Sequence, residues 1–153
     1  MTPDPRIVLF LAKHHVLTIC TTVDDEPWCA NCFYVYLPDE NAFVFTTDNS
    51  TRHGREFAMN SMVAGSVVLE TKIIGKIQGV QFQGIVTVAE GERLAMARKA
   101  YLKRFPVAAL MDTHLWIVDL TLLKMTDNLL GFGKKLIWEK AQGSELRAQS
   151  RKI

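Results

Sequence analysis

Apolar residues recur along this chain with two periods, and the places where the period changes mark its elements. Asp4-Pro5 supplies a capping acceptor and then a proline with φ already set. It opens a helix that buries Ile7, Phe10 and Leu11 and ends near His14-His15. Residues 16–22 and 28–37 then read as β-strands around the acidic turn Asp24-Asp25-Glu26-Pro27, which makes them a hairpin. Pro38-Asp39-Glu40-Asn41 turns the chain again, into a third strand over residues 42–47.

The second half continues the pattern. Residues 50–59 form a short helix with Phe57 and Ala58 to bury, and residues 62–69 a fourth strand apolar enough to be covered on both faces. Residues 70–79 read as a loop or loose hairpin. Residues 80–88 alternate, with Val80, Phe82, Val86 and Val88 on one face and Gln81, Gln83 and Thr87 on the other, and Gly84 marks a bulge or close approach. Residues 90–105 carry the stripe Leu94, Ala97, Tyr101, Phe105 opposite Arg93, Lys99 and Lys103, a helix that Pro106 stops. A sixth strand covers residues 115–125, and Gly131-Phe132-Gly133 hinges the chain into Lys134-Lys135-Leu136-Ile137-Trp138. Six or seven strands at hairpin spacing, broken by three helices, do not alternate as βαβ units. They predict a mainly β fold with helices (α+β), an antiparallel barrel with helices at its ends or across its mouth.

Length and composition bound this picture. The chain of 153 residues suits one core, a single domain over residues 1–140, with a loosely helical or frayed tail over 141–153 where apolar content falls away. No apolar run approaches the roughly 20 residues of a membrane span, and the first apolar stretch lacks the flanks of a signal peptide, so a cytoplasmic, non-membrane protein is expected. Net charge is +2 but uneven: residues 1–51 hold two basic and seven acidic groups, and most basic groups lie near Arg52, along 93–104 and after Lys134. That excess is weak for a nucleic-acid reader and sufficient for a small anion. Cys20, Cys29 and Cys32 are an odd set without secretion signals, expected as reduced thiols. The C-x-x-C spacing of Cys29 and Cys32 falls in a strand, which puts the two on opposite faces, and no further pair completes a metal site.

One segment carries more chemistry than its neighbours. In residues 43–55 an apolar strand runs into Thr46, Thr47, Asp48, Asn49, Ser50 and Thr51, and then into Arg52, His53 and Arg55. A helix starting at Asn49 or Ser50 would bring free N–H groups, hydroxyls and Arg52 onto one anion such as a phosphate. The same residues also suit a plain capped helix with a solvated basic first turn.

The helix, the hairpin, the strand ending in Thr46-Thr47 and the helix opened by Ser50-Thr51-Arg52 resemble the FMN-binding split β-barrel proteins related to pyridoxamine 5′-phosphate oxidase. Gly79-Val80-Gln81-Phe82-Gln83-Gly84, Ala97-Arg98-Lys99-Ala100-Tyr101, Arg104-Phe105-Pro106, Thr126-Asp127-Asn128, Gly131-Phe132-Gly133-Lys134-Lys135 and Trp138 look like its bacterial YhbP-like branch. The resemblance implies FMN at the interface of a homodimer, its phosphate held by Thr46, Thr47, Ser50, Thr51 and Arg52. It extends to Asn31 facing the ring system. Gln81 would meet the cofactor or the partner subunit, unless it is a solvated sheet position. Lys134, Lys135 and Trp138 would line the site, Lys134 or Lys135 near the phosphate or ring and Trp138 as a wall; a plain terminal strand closing the barrel, with Trp138 as core, is the alternative. The Arg-x-His substrate motif of the true oxidases does not occur after Met125, His114 being the last histidine.

What the resemblance implies is an FMN-dependent oxidoreductase of unknown small-molecule substrate, with no catalytic acid or base named by the sequence. The alternatives are a non-enzymatic flavin or haem module, for which His14, His15, His53 and His114 are the available ligands, and a reductase using deazaflavin F420.

Overall fold

The computed structural model describes residues 2–110, 114–131 and 134–141. Helix α1 spans Pro5–Lys13, with the Asp4 carboxylate accepting from Arg6 N and Ile7, Phe10 and Leu11 buried, as the sequence predicts. Strands β1 (Val16–Val23) and β2 (Glu26–Leu37) follow. Their turn is tighter than expected: only Asp24 and Asp25 form it, at φ 52° and 62°, so Glu26 and Pro27 join the strand. Aspartates tolerate that left-handed backbone, and its twist matches a two-residue hairpin.

Strand β3 (Ala42–Thr47) leads to helix α2 (Arg52–Met59), and then to β4 (Met62–Val68), β5 (Gln78–Val88), helix α3 (Gly91–Arg104), the long β6 (His114–Asp127) and β7 (Lys135–Glu139). The sheet runs β3-β2-β1-β4-β5-β6-β7, and β3 also pairs with β6, which closes a ring of six antiparallel strands with β7 appended. It is this β3–β6 pairing, and not the terminal strand, that closes the barrel. Phe132 and Gly133 of the glycine hinge, and the tail after residue 141, lie outside the described residues.

Strand β6 serves both partners because it is offset midway. Residues 114–119 pair with β3 and residues 122–126 with β7, while along β5 the register shifts between Gln83 and Gly84, which oppose Leu122 and Leu120. The close approach expected at Gly84 is there: a Cβ would lie 2.5 Å from Val118 Cγ1 and 2.7 Å from Asp119 O.

Inside the ring, Phe43 meets Tyr34, Tyr36 and Phe82 edge-on at 4.9, 5.7 and 5.0 Å between ring centres, the geometry aromatic quadrupoles favour. Helix α1 plugs one end, where the buried Tyr34 hydroxyl donates to Leu11 O at 2.7 Å, and α2 closes the other through Phe57, which lies against Phe45 and Trp116. Helix α3 covers the outside of β3 and the adjoining part of β6, Ala97 and Tyr101 packing with Ala42, Val44, Leu115 and Ile117. Arg93, although its side chain is 41% exposed, is not a free cation opposite that stripe. It reaches the sheet and grips Asp119 with both Nη atoms, at 3.1 and 2.6 Å.

Among the described residues no α-helix covers the rest of the outer surface. Strand β4 is therefore covered on one face only, with Met62 and Val68 55% and 64% exposed. Its apolar run reflects residues at the open face rather than burial on both sides.

Candidate functional site

At the α2 end of the barrel the donors expected to gather on an anion are used within the segment. Helix α2 begins at Arg52, with Thr51 as its cap: Thr51 Oγ1 accepts from Gly54 N at 3.1 Å and donates to Asp48 O at 2.8 Å. The Asp48 carboxylate takes Ser50 N at 2.7 Å, which holds its pKa below the usual carboxylate value. A local carboxylate competes with the helix for these N–H groups, so the helix starts two residues late. Thr47 Oγ1 lies 2.6 Å from His53 Nε2 and 3.4 Å from Thr51 Oγ1, and burial lowers the His53 pKa.

Arg52 turns away from this group toward the β1–β2 hairpin. Its guanidinium lies 4.6 Å from the ring centre of Trp28, its Nε donates to Glu56 Oε1 at 2.7 Å, and its Nη2 is 3.5 Å from Glu26 Oε2. Glu56 also accepts from the buried Thr21 hydroxyl, and the bonds from Thr21 and then Arg52 hold its carboxyl below the usual range. Arg52 keeps a mostly unused Nη edge, because Nε carries the strong contact and Nη2 the weak one.

The second grouping lies on the outer face that no described α-helix covers. Register places Asn31 opposite Thr18, Thr18 opposite Ser66, Ser66 opposite Gln81, Gln81 opposite Lys124 and Lys124 opposite Ile137, one row of side chains crossing β2, β1, β4, β5, β6 and β7. Thr18 Oγ1 donates to Asn31 Oδ1 at 2.8 Å, which leaves the Asn31 amide as the group presented outward. Lys135, opposite Thr126, belongs to the same face two residues along. Apolar side chains flank the row, Phe33 at 58% and Ile137 at 63% exposed.

The sequence-derived candidates thus fall into separate places. Thr47 and Thr51 meet at the α2 cap with Ser50 beside them, and Arg52 lies against Trp28. Asn31, Gln81 and Lys135 share the open face, and Lys134 is exposed just before β7. Thr46 alternates away from Thr47 and pairs with Leu115, in the layer under α3. Trp138 pairs with Leu123 and packs on the barrel core with Leu136, the arrangement of a structural strand. Cys29 is exposed and Cys32 buried, on opposite faces as their spacing requires.

No protein-family model matches the chain. Over 131 residues it is 48% identical to a UPF0306 protein of Photorhabdus laumondii, a match spanning 86% of this chain and 92% of that protein. The chain belongs to the UPF0306 family. Its similarity to the UPF0306 protein YhbP of Escherichia fergusonii, 44% identical over 136 residues and covering 89% and 92% of the two chains, bears out the YhbP-like resemblance. Among solved structures, a heme-binding protein from Mycobacterium smegmatis superposes with a TM-score of 0.74 at 21% identity, over 91% of this chain but only 59% of that one. A FAD-binding protein from the same organism gives 0.66 at 19% identity over 88% and 97% of the chains, and the heme storage protein HutZ of Vibrio cholerae 0.64 at 16% over 94% and 98%. At such identities the likeness establishes the split-barrel fold.

Within this UPF0306 member, sequence reasoning missed Glu56, Trp28, Thr18, Ser66 and Lys124. The Arg52–Glu56 pair was legible as an i,i+4 spacing on a helix. The polar row was not, because it joins strands far apart in sequence through registers that no local pattern states.

Proposed function

We propose that this UPF0306 chain binds FMN on its open sheet face, as a homodimer, and works as a flavin-dependent oxidoreductase on a small molecule. The observation that carries the reading is the row Asn31, Thr18, Ser66, Gln81, Lys124: amide, hydroxyl and ammonium groups set on rigid strands and flanked by apolar surface. Those groups fit a flavin, whose ring offers carbonyl and nitrogen acceptors along one edge and apolar surface along the other. Phe33 and Ile137 suit the apolar surface, and a second copy of the chain would cover what one open sheet leaves exposed. Bound flavin supplies the electron chemistry. The chain's own residues orient the ring and neutralise the phosphate, with Lys124 and Lys135 on the face itself and the Nη edge of Arg52, held by Glu56, at the barrel end.

Haem is the second reading, favoured by the names of two structural neighbours. On this chain His53 Nε2 is engaged by Thr47, whereas the bond from His14 Nδ1 to Phe10 O at 2.8 Å leaves His14 Nε2 for a metal, so His14 and the exposed His15 and His114 are the candidates. The deciding experiment is mass spectrometry of the small molecule released from purified, denatured protein, with titration of FMN and riboflavin into cofactor-free protein. FMN release, or tight FMN binding, is the expected result. Haem release or a Soret band would replace this reading with the second, and F420 would change the cofactor while keeping the site.

A further inference from the structure

Cys20 on β1 and Cys29 on β2 stand directly opposite each other, with their Sγ atoms 3.0 Å apart. Val23 and Glu26 flank the two-residue turn and so form its hydrogen-bonded pair, and alternation from there makes Cys20–Cys29 a non-hydrogen-bonded pair. Pro27 agrees with that phase, since it sits opposite Thr22 at a position whose N–H would point away from β1. Non-hydrogen-bonded pairs bring Cα atoms to about 4.5 Å, inside the window of roughly 4.4–6.8 Å that a disulfide needs. Both side chains lie on the open face, two residues along from the Thr18–Asn31 pair. Cys29 is exposed, Cys20 half-buried and Cys32 buried on the opposite face.

We propose that Cys20 and Cys29 are a reversible dithiol/disulfide couple, a two-electron redox site at the edge of the open face. The oxidant is a low-molecular-weight disulfide. The Cys29 thiolate attacks one of its sulfurs and releases one small thiol, leaving a mixed disulfide on Cys29. The Cys20 thiolate then attacks the Cys29 sulfur and releases the second small thiol. One S–S bond breaks and one forms, and the two protons lost by the cysteines leave on the two small thiols. Exposure makes Cys29 the first attacker. Burial, then the hydrogen bond with Cys29, pushes the Cys20 thiol up to about 11 in the dithiol, so Cys20 is the poorer first attacker.

The couple does not depend on the cofactor reading and is tested on the full chain, as purified and after removal of any bound small molecule. Oxidised glutathione is added and remaining thiols are counted by alkylation and intact mass. The expected titre falls from three free thiols to one, with a mass loss of two hydrogens, and dithiothreitol restores all three. Cleavage at the acidic turn separates Cys20 from Cys29, so the two peptides stay joined only through the new bond. Cys32→Ser should behave like the parent in losing two thiols, whereas Cys20→Ser should stop at a glutathione adduct on Cys29. Three thiols that persist in both preparations, a stable mixed disulfide on the parent, or a bond that uses Cys32 or joins two chains would each overturn the proposal.

Discussion

Glu56 holds Arg52 from one helical turn away, Oε1 to Nε at 2.7 Å, while Arg52 lies over Trp28 with its Nη edge toward the hairpin. A carboxylate that orients a guanidinium also opposes any anion the guanidinium would bind. The two effects separate under substitution. Arg52→Ala should weaken FMN by roughly tenfold or more, the scale of a charge-assisted hydrogen bond, and leave riboflavin unchanged. Glu56→Gln keeps an acceptor for Nε and removes the charge, so FMN should bind at least as well as to the parent. Isothermal titration with both ligands reads this directly, and equal losses for FMN and riboflavin in Arg52→Ala would remove the phosphate role.

The open face gives a prediction about assembly. Sedimentation of the parent should report twice the chain mass. Ser66→Arg, which sets a long cation in the middle of the polar row, should shift it to monomer and lower flavin binding together, with the far-ultraviolet circular dichroism unchanged. A monomeric parent that holds stoichiometric FMN would sink the shared-site idea.

Gly65 is required by close approach rather than by backbone conformation. A Cβ there would lie 2.1 Å from Thr18 O and 2.4 Å from Phe82 Cζ, so β1 and the core ring press on it from two sides. Gly65→Ala should destabilise the fold by about 1–3 kcal/mol, the usual range for overpacking, measured by urea unfolding. Gly75→Ala, where a Cβ meets nothing within 4 Å, is the control and should change stability little.

Tyr34 ties α1 to the barrel through its bond to Leu11 O. Tyr34→Phe leaves that buried carbonyl without the partner and should cost about 1–2 kcal/mol. Hydrogen exchange should show faster opening of α1 than of β5.

His53 sets a pH dependence. Burial lowers its pKa, so the unfolded chain takes up the proton first, near about pH 6.5. Stability contributed by neutral His53 is complete above that value and is lost as pH falls through it toward the lower folded value. The Tm should therefore drop between about pH 7.5 and 5.5, and His53→Gln should flatten that slope. Glu56 adds a second loss at lower pH, as its depressed folded pKa is crossed from above.

Helix α1 was legible residue by residue, because its cap, proline and three buried positions are all local. The alternation of β5 and the bulge at Gly84 were legible for the same reason. The Arg93–Asp119 pair was not legible, because Asp119 lies 26 residues on in another element. The i,i+4 partner of Arg52, Glu56, is legible on the helix, whereas its contacts with Trp28 and Glu26 come from the hairpin, Glu26 lying 26 residues earlier, and leave no local pattern. Cys20 and Cys29 drew no notice together because a spacing of nine carries no motif; the hairpin register alone joins them.

The offset in β6 has a mechanical consequence. Thr121 is the residue that β5 skips, and its carbonyl takes the Lys140 N–H at 2.9 Å, so the terminal strand hangs on β6 just where β6 has let go of β3. The ring is complete without that strand. Strand β7 is therefore expected to open before the β3–β6 seam does, and its amides should exchange ahead of those of β3. A ligand gripping Lys135 and Ile137, as proposed above, would slow that opening, so exchange at the outermost strand would report occupancy of the face.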